Sequence, residues 1–335
     1  MNYGASLCRA LHRCFQHDSS VYLLGEDVVD PYGGAFKITE GLSSKYPDRV
    51  FSTPISEAAI TGLASGMALR GLRPVVEIMF GDFITLCMDQ LVNSASKFPL
   101  MYPDNGAVPL VVRTPMGGVR GYGPTHSQSI EKILFGVPGL TVVAVDRLSD
   151  PGILLEKAIL EDTSPVLFIE DKGDYSRPVF EGPATGLSVT FTQSSSLYST
   201  ARVSNFESTT HAPDLTVVSY GGAASITADI MLKLATEEIR IIMYCVRALN
   251  DRKELKLVVK DLPKNKPVLV VEQGTNGFSW ASEVFALMIE NGVVTAPVMR
   301  LGALETVIPA SRSLEKNIVV TEDRIKQAMM EMLLI

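Results

Sequence analysis

Short runs of Val, Ile and Leu recur along this chain, each parted from the next by a helical stretch. VYLLGED from Val21, RPVVEIMF from Arg73, VPLVVRTP from Val108, LTVVAV from Leu140 and PVLFIED from Pro165 are apolar on successive rather than alternate residues. Strands of that kind are buried on both faces. Helices between them, near Glu57 to Leu69, Asp82 to Lys97 and Asp150 to Leu160, would supply the covering layers of a parallel α/β sheet. The rhythm stops over residues 173–213, a stretch rich in Ser, Thr, Gly and Pro that reads as a linker, partly irregular or β. It resumes with LTVVSYG, IRIIMYCVR, PVLVVEQ and APVMRLG, with helices from about Ala223, Arg252 and Trp280. The pattern predicts an α/β protein of two parallel-sheet domains, residues 1–172 and a smaller one at 214–335.

Composition narrows the function classes. With 335 residues, 46% of them hydrophobic and 20% charged, there is material for two cores. The net charge of −7 and the lack of a basic cluster argue against nucleic acid or an anionic membrane as partner. No apolar run reaches the roughly 20 residues that span a bilayer. The opening MNYGASLCRALHRCF has neither a signal-peptide core nor an Arg/Ser-rich transit composition, so a cytoplasmic location is expected. Cys8, Cys14, Cys87 and Cys245 form no CxxC pair and read as free, buried thiols. There is no Walker-A loop, GxSxG elbow, HExxH or Cys/His cluster, which leaves little from which to build a hydrolase, a P-loop enzyme or a metal site.

In open α/β sheets function gathers beyond the carboxyl ends of the strands, and four groups of residues follow strands here. In FSTPISEAAITGLASGMAL, Pro54 and Ser56 suit a helix start and Glu57 falls in the first turn. The helix interior is small nearly all round, which fits a buried helix or a subunit contact. Glu57 is either a carboxylate answering the helix dipole or a catalytic group. In GEDVVDPYGGAFKITEGL, Gly33 and Gly34 allow close approach of a ligand or merely a tight turn. In IMFGDFITLCMDQ, Phe80 and Phe83 sit where strand passes to helix, as core or as a stacking surface for a flat ligand. In VVRTPMGGVRGYGPTHSQSIE, His126 follows four glycines. There a histidine beside a mobile loop serves proton transfer, or else bonds to backbone as a structural group.

Taken in order, GEDV, YGGAFKITEGL, TPISE, RPVVEIMFGDF, DQLVNSASK, THSQS and VPGLTVV resemble the β subunit of the 2-oxo-acid dehydrogenase decarboxylase component, the pyruvate, branched-chain and acetoin type, within the transketolase-like thiamine-diphosphate superfamily. The resemblance runs over nearly the whole chain, and VVEQGTNGFSWASEV fits the family's last domain. It implies a pyrimidine-binding domain followed by a transketolase C-terminal-like domain. It makes Glu57 the glutamate that bonds the aminopyrimidine ring, Phe83 the aromatic packed on that ring, Glu26 a carboxylate beside it, and His126 the histidine facing substrate and acyl acceptor. Carbonyls around Leu110 and the helix end near Asp162 match a monovalent-cation (K+) site of some relatives. The Gly-Asp-Gly motif by which the family holds diphosphate and Mg2+ is missing, since GDF at Gly81 is not one. A separate α subunit is therefore implied, in an α2β2 heterotetramer with the cofactor between subunits. A small 2-oxo acid would be the substrate and a lipoyl-bearing acyltransferase or another acceptor would take the acyl group.

One stretch departs from that family. Before HSQS stands GGVRGYGPT, with Arg120, Tyr122 and Pro124, and GPTH is similar to transketolases and deoxyxylulose-phosphate synthases. Arg120 either binds a substrate carboxylate or phosphate or is a solvated loop charge, and Tyr122 lies beside it. The alternative reading is thus the C-terminal half of a split transketolase or synthase acting on sugar phosphates. A third, a regulatory paralogue without catalysis, is at odds with the retained Glu57 in an apolar helix.

Overall fold

The computed structural model of the protein describes residues 1–103, 106–180, 186–207, 211–293 and 296–335. The chain forms two compact units, the first made of Met1–Met116, Ile133–Val145 and Asp150–Val179, the second of Gly117–Lys132, Asp146–Ser149 and Phe180–Ile335.

In the first unit the elements run α1 (Tyr3–His17), β1 (Val21–Gly25), α2 (Leu42–Lys45), β2 (Val50–Ser52), α3 (Glu57–Leu69), β3 (Arg73–Glu77), α4 (Phe98–Met101), β4 (Val111–Met116), β5 (Thr141–Ala144), α5 (Pro151–Leu160) and β6 (Val166–Asp171). All five runs picked out by their Val, Ile and Leu content are strands. They join in one six-stranded sheet of order β2-β1-β3-β4-β6-β5, every pairing parallel. Every residue of β4 and β6 is buried, which is why those segments read as unbroken apolar runs. The short edge strand β2 left no such signal, because only Val50 of its three residues is buried. Helices α1 and α5 pack closely. A Cβ on Gly152 would stand 2.6 Å from the Ser6 carbonyl oxygen, and Ser6 and Arg13 of α1 bond Asp150 and Glu156.

Two local expectations change. The stretch from Asp82 to Lys97 is not one α-helix: residues Gly81–Cys87 wind as a 3-10 helix and Gln90–Ala95 as a π-turn. Tertiary packing decides the winding, because a Cβ at Gly81 would overlap Met116, while the Cys87 thiol is drawn to the Glu57 carbonyl oxygen at 3.6 Å. Nor is α3 buried all round. Glu57, Ile60, Thr61, Ala64, Ser65 and Ala68 face inward, whereas Ala59, Leu63 and Gly66 lie open on the opposite side.

The second unit continues with β7 (Ser188–Phe191), β8 (Ala201–Ser204), β9 (Leu215–Ser219), α6 (Gly221–Ala235), β10 (Ile241–Cys245), α7 (Arg252–Asp261), β11 (Val268–Thr275), α8 (Trp280–Glu290), β12 (Val298–Ala303), α9 (Arg312–Glu315) and α10 (Glu322–Leu333). Its sheet has the order β12-β11-β9-β10-β8-β7. The four apolar runs pair in parallel, and β7 and β8 add on antiparallel. Those two strands come from the Ser/Thr-rich stretch 173–213, of which residues 181–185 and 208–210 lie outside the described residues. Gly117–Lys132 and Asp146–Ser149 belong here through specific ties. Arg247 pairs with Asp146 at 2.8 Å with both side chains buried, Arg147 pairs with Asp229, and the Gly121 N–H donates to Glu315 at 2.8 Å. All four cysteines are free, and only Cys8 is not buried. Among the described residues no helix is long and apolar enough to cross a membrane.

Candidate cofactor site

The carboxyl ends of the first sheet carry most of the residues singled out above. Strand β1 ends at Gly25, where a Cβ would meet the Glu77 carbonyl oxygen at 2.9 Å, so the chain leaves the sheet pressed against β3. Glu26 follows, half-buried, and at Asp27 the backbone turns with φ of 53°. Glu57 opens α3. Ser56 holds the N-cap position but makes no side-chain capping bond, so the first-turn charge nearest the helix N-terminus is the Glu57 carboxylate, 7% exposed. Burial pushes the Glu26 carboxyl above its usual range, and the charges of Glu57 and then Asp27 push it further. The two glutamates therefore share one corner, and Glu26 Oε1 is buried there without a hydrogen-bond partner among the described residues.

Phe83 sits beside this corner. The Cys87 thiol points to the carbonyl oxygens of both Glu57 (3.6 Å) and Phe83 (4.0 Å), tying the 3-10 helix to the start of α3. Burial raises that thiol to about 11, so it is an inert buried group. Phe83 is half-buried and packs edge-on to Phe80 at 6.1 Å, the end of an aromatic row that continues through Phe36 to Tyr175. Phe80 and Phe83 are both partly exposed, and Phe83 is the member of the row tied to the start of α3.

Sequence reasoning passed over the charges beneath the corner. Arg113 of β4 donates to Glu170 of β6 through Nε at 2.8 Å and Nη2 at 2.7 Å, and to Glu77 of β3, all three buried. The Tyr175 hydroxyl donates to Glu170 at 2.6 Å. Burial raises the Glu77 carboxyl against the pull of Arg113. Gly34 lies directly over Glu77: with φ of 77°, its Cβ would stand 2.6 Å from Glu77 Oε1. The Gly33-Gly34 pair thus allows the loop to close on this ionic cluster. The available signal was a charged residue inside each of three apolar strands, in VVEIM, VVRTP and FIED.

His126, Arg120 and Tyr122 lie on the second unit's glycine loop. Gly117, Gly121 and Gly123 all have positive φ, the region that favours glycine, and the loop is closely packed at Gly118 and Gly121. A Cβ on Gly121 would come 2.9 Å from Arg312 Cγ, and one on Gly118 would come 3.0 Å from Glu315 Oε1. Arg312 Nε donates to the Arg120 carbonyl oxygen at 3.2 Å. On that seated loop the His126 N–H reaches the Gly123 carbonyl oxygen at 3.3 Å, and its Nδ1 lies 3.0 Å from Thr125 Oγ1. The Tyr122 side chain is exposed.

Leu110 and Asp162 precede β4 and β6 in the first unit, at the amino ends of the strands. The Leu110 carbonyl oxygen accepts the Val166 N–H at 2.7 Å, and Asp162 Oδ1 accepts from Ser164 N–H and hydroxyl at 2.9 and 2.6 Å. Arg73 Nη1 donates to the Ile159 and Asp162 carbonyl oxygens at 2.8 and 3.2 Å. These oxygens do not fit a bound cation as they stand. Among the described residues no cluster of three or more His, Cys, Asp or Glu could hold a metal ion.

Two neighbouring carboxylates, Glu57 buried and Glu26 half-buried with one unsatisfied oxygen, beside an aromatic side chain suit a flat, nitrogen-bearing ring. The comparisons with known proteins agree. Residues 1–178 match the transketolase pyrimidine-binding domain and residues 205–325 the transketolase C-terminal domain. Across 99% of its length the chain is 31% identical to the 2-oxoisovalerate dehydrogenase subunit beta of Bacillus subtilis, covering 98% of it. The chain belongs to the β-subunit family of the 2-oxo-acid dehydrogenases. Within this family it is 30% identical to the acetoin:2,6-dichlorophenolindophenol oxidoreductase subunit beta of the same organism, over 97% of this chain and 94% of that one. In fold, the chain is similar to transketolases. A split-gene transketolase, solved as an inactive beta4 tetramer, superposes with a TM-score of 0.73 over 100% of this chain and 99% of that one, at 18% identity. The identities favour the dehydrogenase β subunits over the split-transketolase reading.

Proposed function

We propose that this chain is the β subunit of a thiamine-diphosphate-dependent 2-oxo-acid dehydrogenase, supplying the pyrimidine side of a cofactor site that an α subunit completes in an α2β2 heterotetramer. The observation that carries the reading is the corner where Glu26 and Glu57 meet, with Glu26 Oε1 buried and unsatisfied. Thiamine diphosphate, when bound, supplies the nucleophilic carbon and the electron sink for decarboxylation. Glu57 would hydrogen-bond the pyrimidine ring of the bound cofactor, and its burial would strengthen that bond. Glu26 carries a raised pKa, so it holds a proton more readily than a solvated glutamate and satisfies its own lone oxygen on the ring. Phe83, half-buried beside the corner, would pack against the ring and keep water from it. His126 stabilises developing charge on the substrate oxygen or passes a proton during acyl transfer to a lipoyl group or another acceptor, with Arg120 and Tyr122 as substrate contacts. Mg2+ and the diphosphate fall to the partner, because this chain has no Gly-Asp-Gly motif.

Calorimetry of thiamine diphosphate with Mg2+, on the chain alone and on the complex with its α subunit, tests this. Binding confined to the complex, followed by turnover of a 2-oxo acid, is the expected result. Tight binding by the chain alone would remove the two-subunit site.

A further inference from the structure

We propose that Arg73 is a built-in substitute for a monovalent cation at the end of α5, so that this protein needs no K+ where the family resemblance implies it. The last carbonyls of a helix lack intrahelical donors and carry the negative end of its dipole. At α5 these include the Ile159 carbonyl oxygen, with that of Asp162 just beyond it. A mobile cation would bridge such oxygens, yet here one nitrogen of Arg73 bonds both, at 2.8 and 3.2 Å. The arginine is held for the task. It is the first residue of β3, its N–H donates to the Ser20 carbonyl oxygen at 2.8 Å, its Nε lies 3.9 Å from Asp18 Oδ2, and its side chain is 22% exposed. The other candidate ligands are occupied too, the Leu110 carbonyl oxygen by Val166 N–H and Asp162 Oδ1 by Ser164. An arriving cation would meet a guanidinium that never loses its charge.

The inference is independent of the proposed activity and is read from stability. The full chain is melted in KCl and in tetramethylammonium chloride at matched ionic strength, since the larger ion cannot enter a site of carbonyls. The wild type should melt at the same temperature in both salts. Arg73→Ser should melt several degrees lower in tetramethylammonium chloride and recover in KCl with a saturable dependence, while Arg73→Lys should stay indifferent to the salt. A wild-type melting temperature that rises saturably with KCl alone would overturn the proposal, and so would an Arg73→Ser protein equally unstable in both. Should Arg73→Ser fail to fold, the wild-type comparison and Arg73→Lys still decide.

Discussion

Glu57, at the start of α3, raises the pKa of Glu26, at the end of β1, across a gap of 31 positions in sequence, and burial of Glu26 does the larger part. The pair is the likeness to a pyrimidine site stated in electrostatic terms, and the first prediction concerns it. In the complex with the α subunit, Glu57→Gln should lower turnover by at least about 100-fold, while circular dichroism and melting stay near wild type. Glu26→Gln should lower it less, because an amide can still bond a ring. Near-normal turnover by Glu57→Gln would end the assigned role.

His126 lies on a loop fixed by its glycines against Arg312 and Glu315, so removing its ring should not unseat the loop. His126→Ala is expected to slow acyl transfer to the acceptor by about 100-fold or more with cofactor affinity little changed. Single-turnover decarboxylation and calorimetry separate the two. A parallel collapse of both would make His126 structural.

Arg113→Met leaves Glu77 and Glu170 buried without their shared cation. Breaking a buried pair from one side costs about 3–5 kcal/mol, to be seen as a lower midpoint in urea unfolding of the first unit.

Glu272, buried within β11, accepts the N–H groups of Trp280 and Ala281 at 3.2 and 3.0 Å, yet burial carries its carboxyl up to about 7. A folded-state pKa above the unfolded one means the folded protein binds the proton more tightly. This contribution to stability is complete below about 4.5 and is lost as the pH rises through about 7. Its size is on the order of 3 kcal/mol. Melts of wild type and Glu272→Gln at several pH values should diverge as the pH rises, the variant gaining relative stability. A constant difference across that range would contradict the assignment.

Much of this was legible in the chain itself, for physical reasons that differ by residue. Strands buried on both faces wrote themselves as VPLVVRTP and PVLFIED, and Glu57 stood out as a charge opening an apolar helix. The closeness of Glu26 to Glu57 was not local information, since it depends on β1 and β2 being neighbours, with Gly25 beside Ser52. The glycines were legible as a tight turn or a place of close approach, but not which side chain they approach. Gly34 and Gly121 make room for Glu77 and Arg312, and only the packed structure shows which side chain fills the space. Arg73 read as the start of a strand because its partners, Ile159 and Asp162, lie 86 and 89 positions away.

The thirteen residues of α3 answer to two solvents at once. On one side the helix buries Glu57 against the sheet. On the other, Ala59, Leu63 and Gly66 stand in water with the neighbouring Ile55, 83% exposed. An oily strip of this kind makes a lone chain sticky. Making Leu63 polar to cure that would leave the glutamate untouched while altering the far side of the helix that carries it. Solubility and chemistry are thus bargained for along the same two turns, and a chain made without its partners would pay first in aggregation.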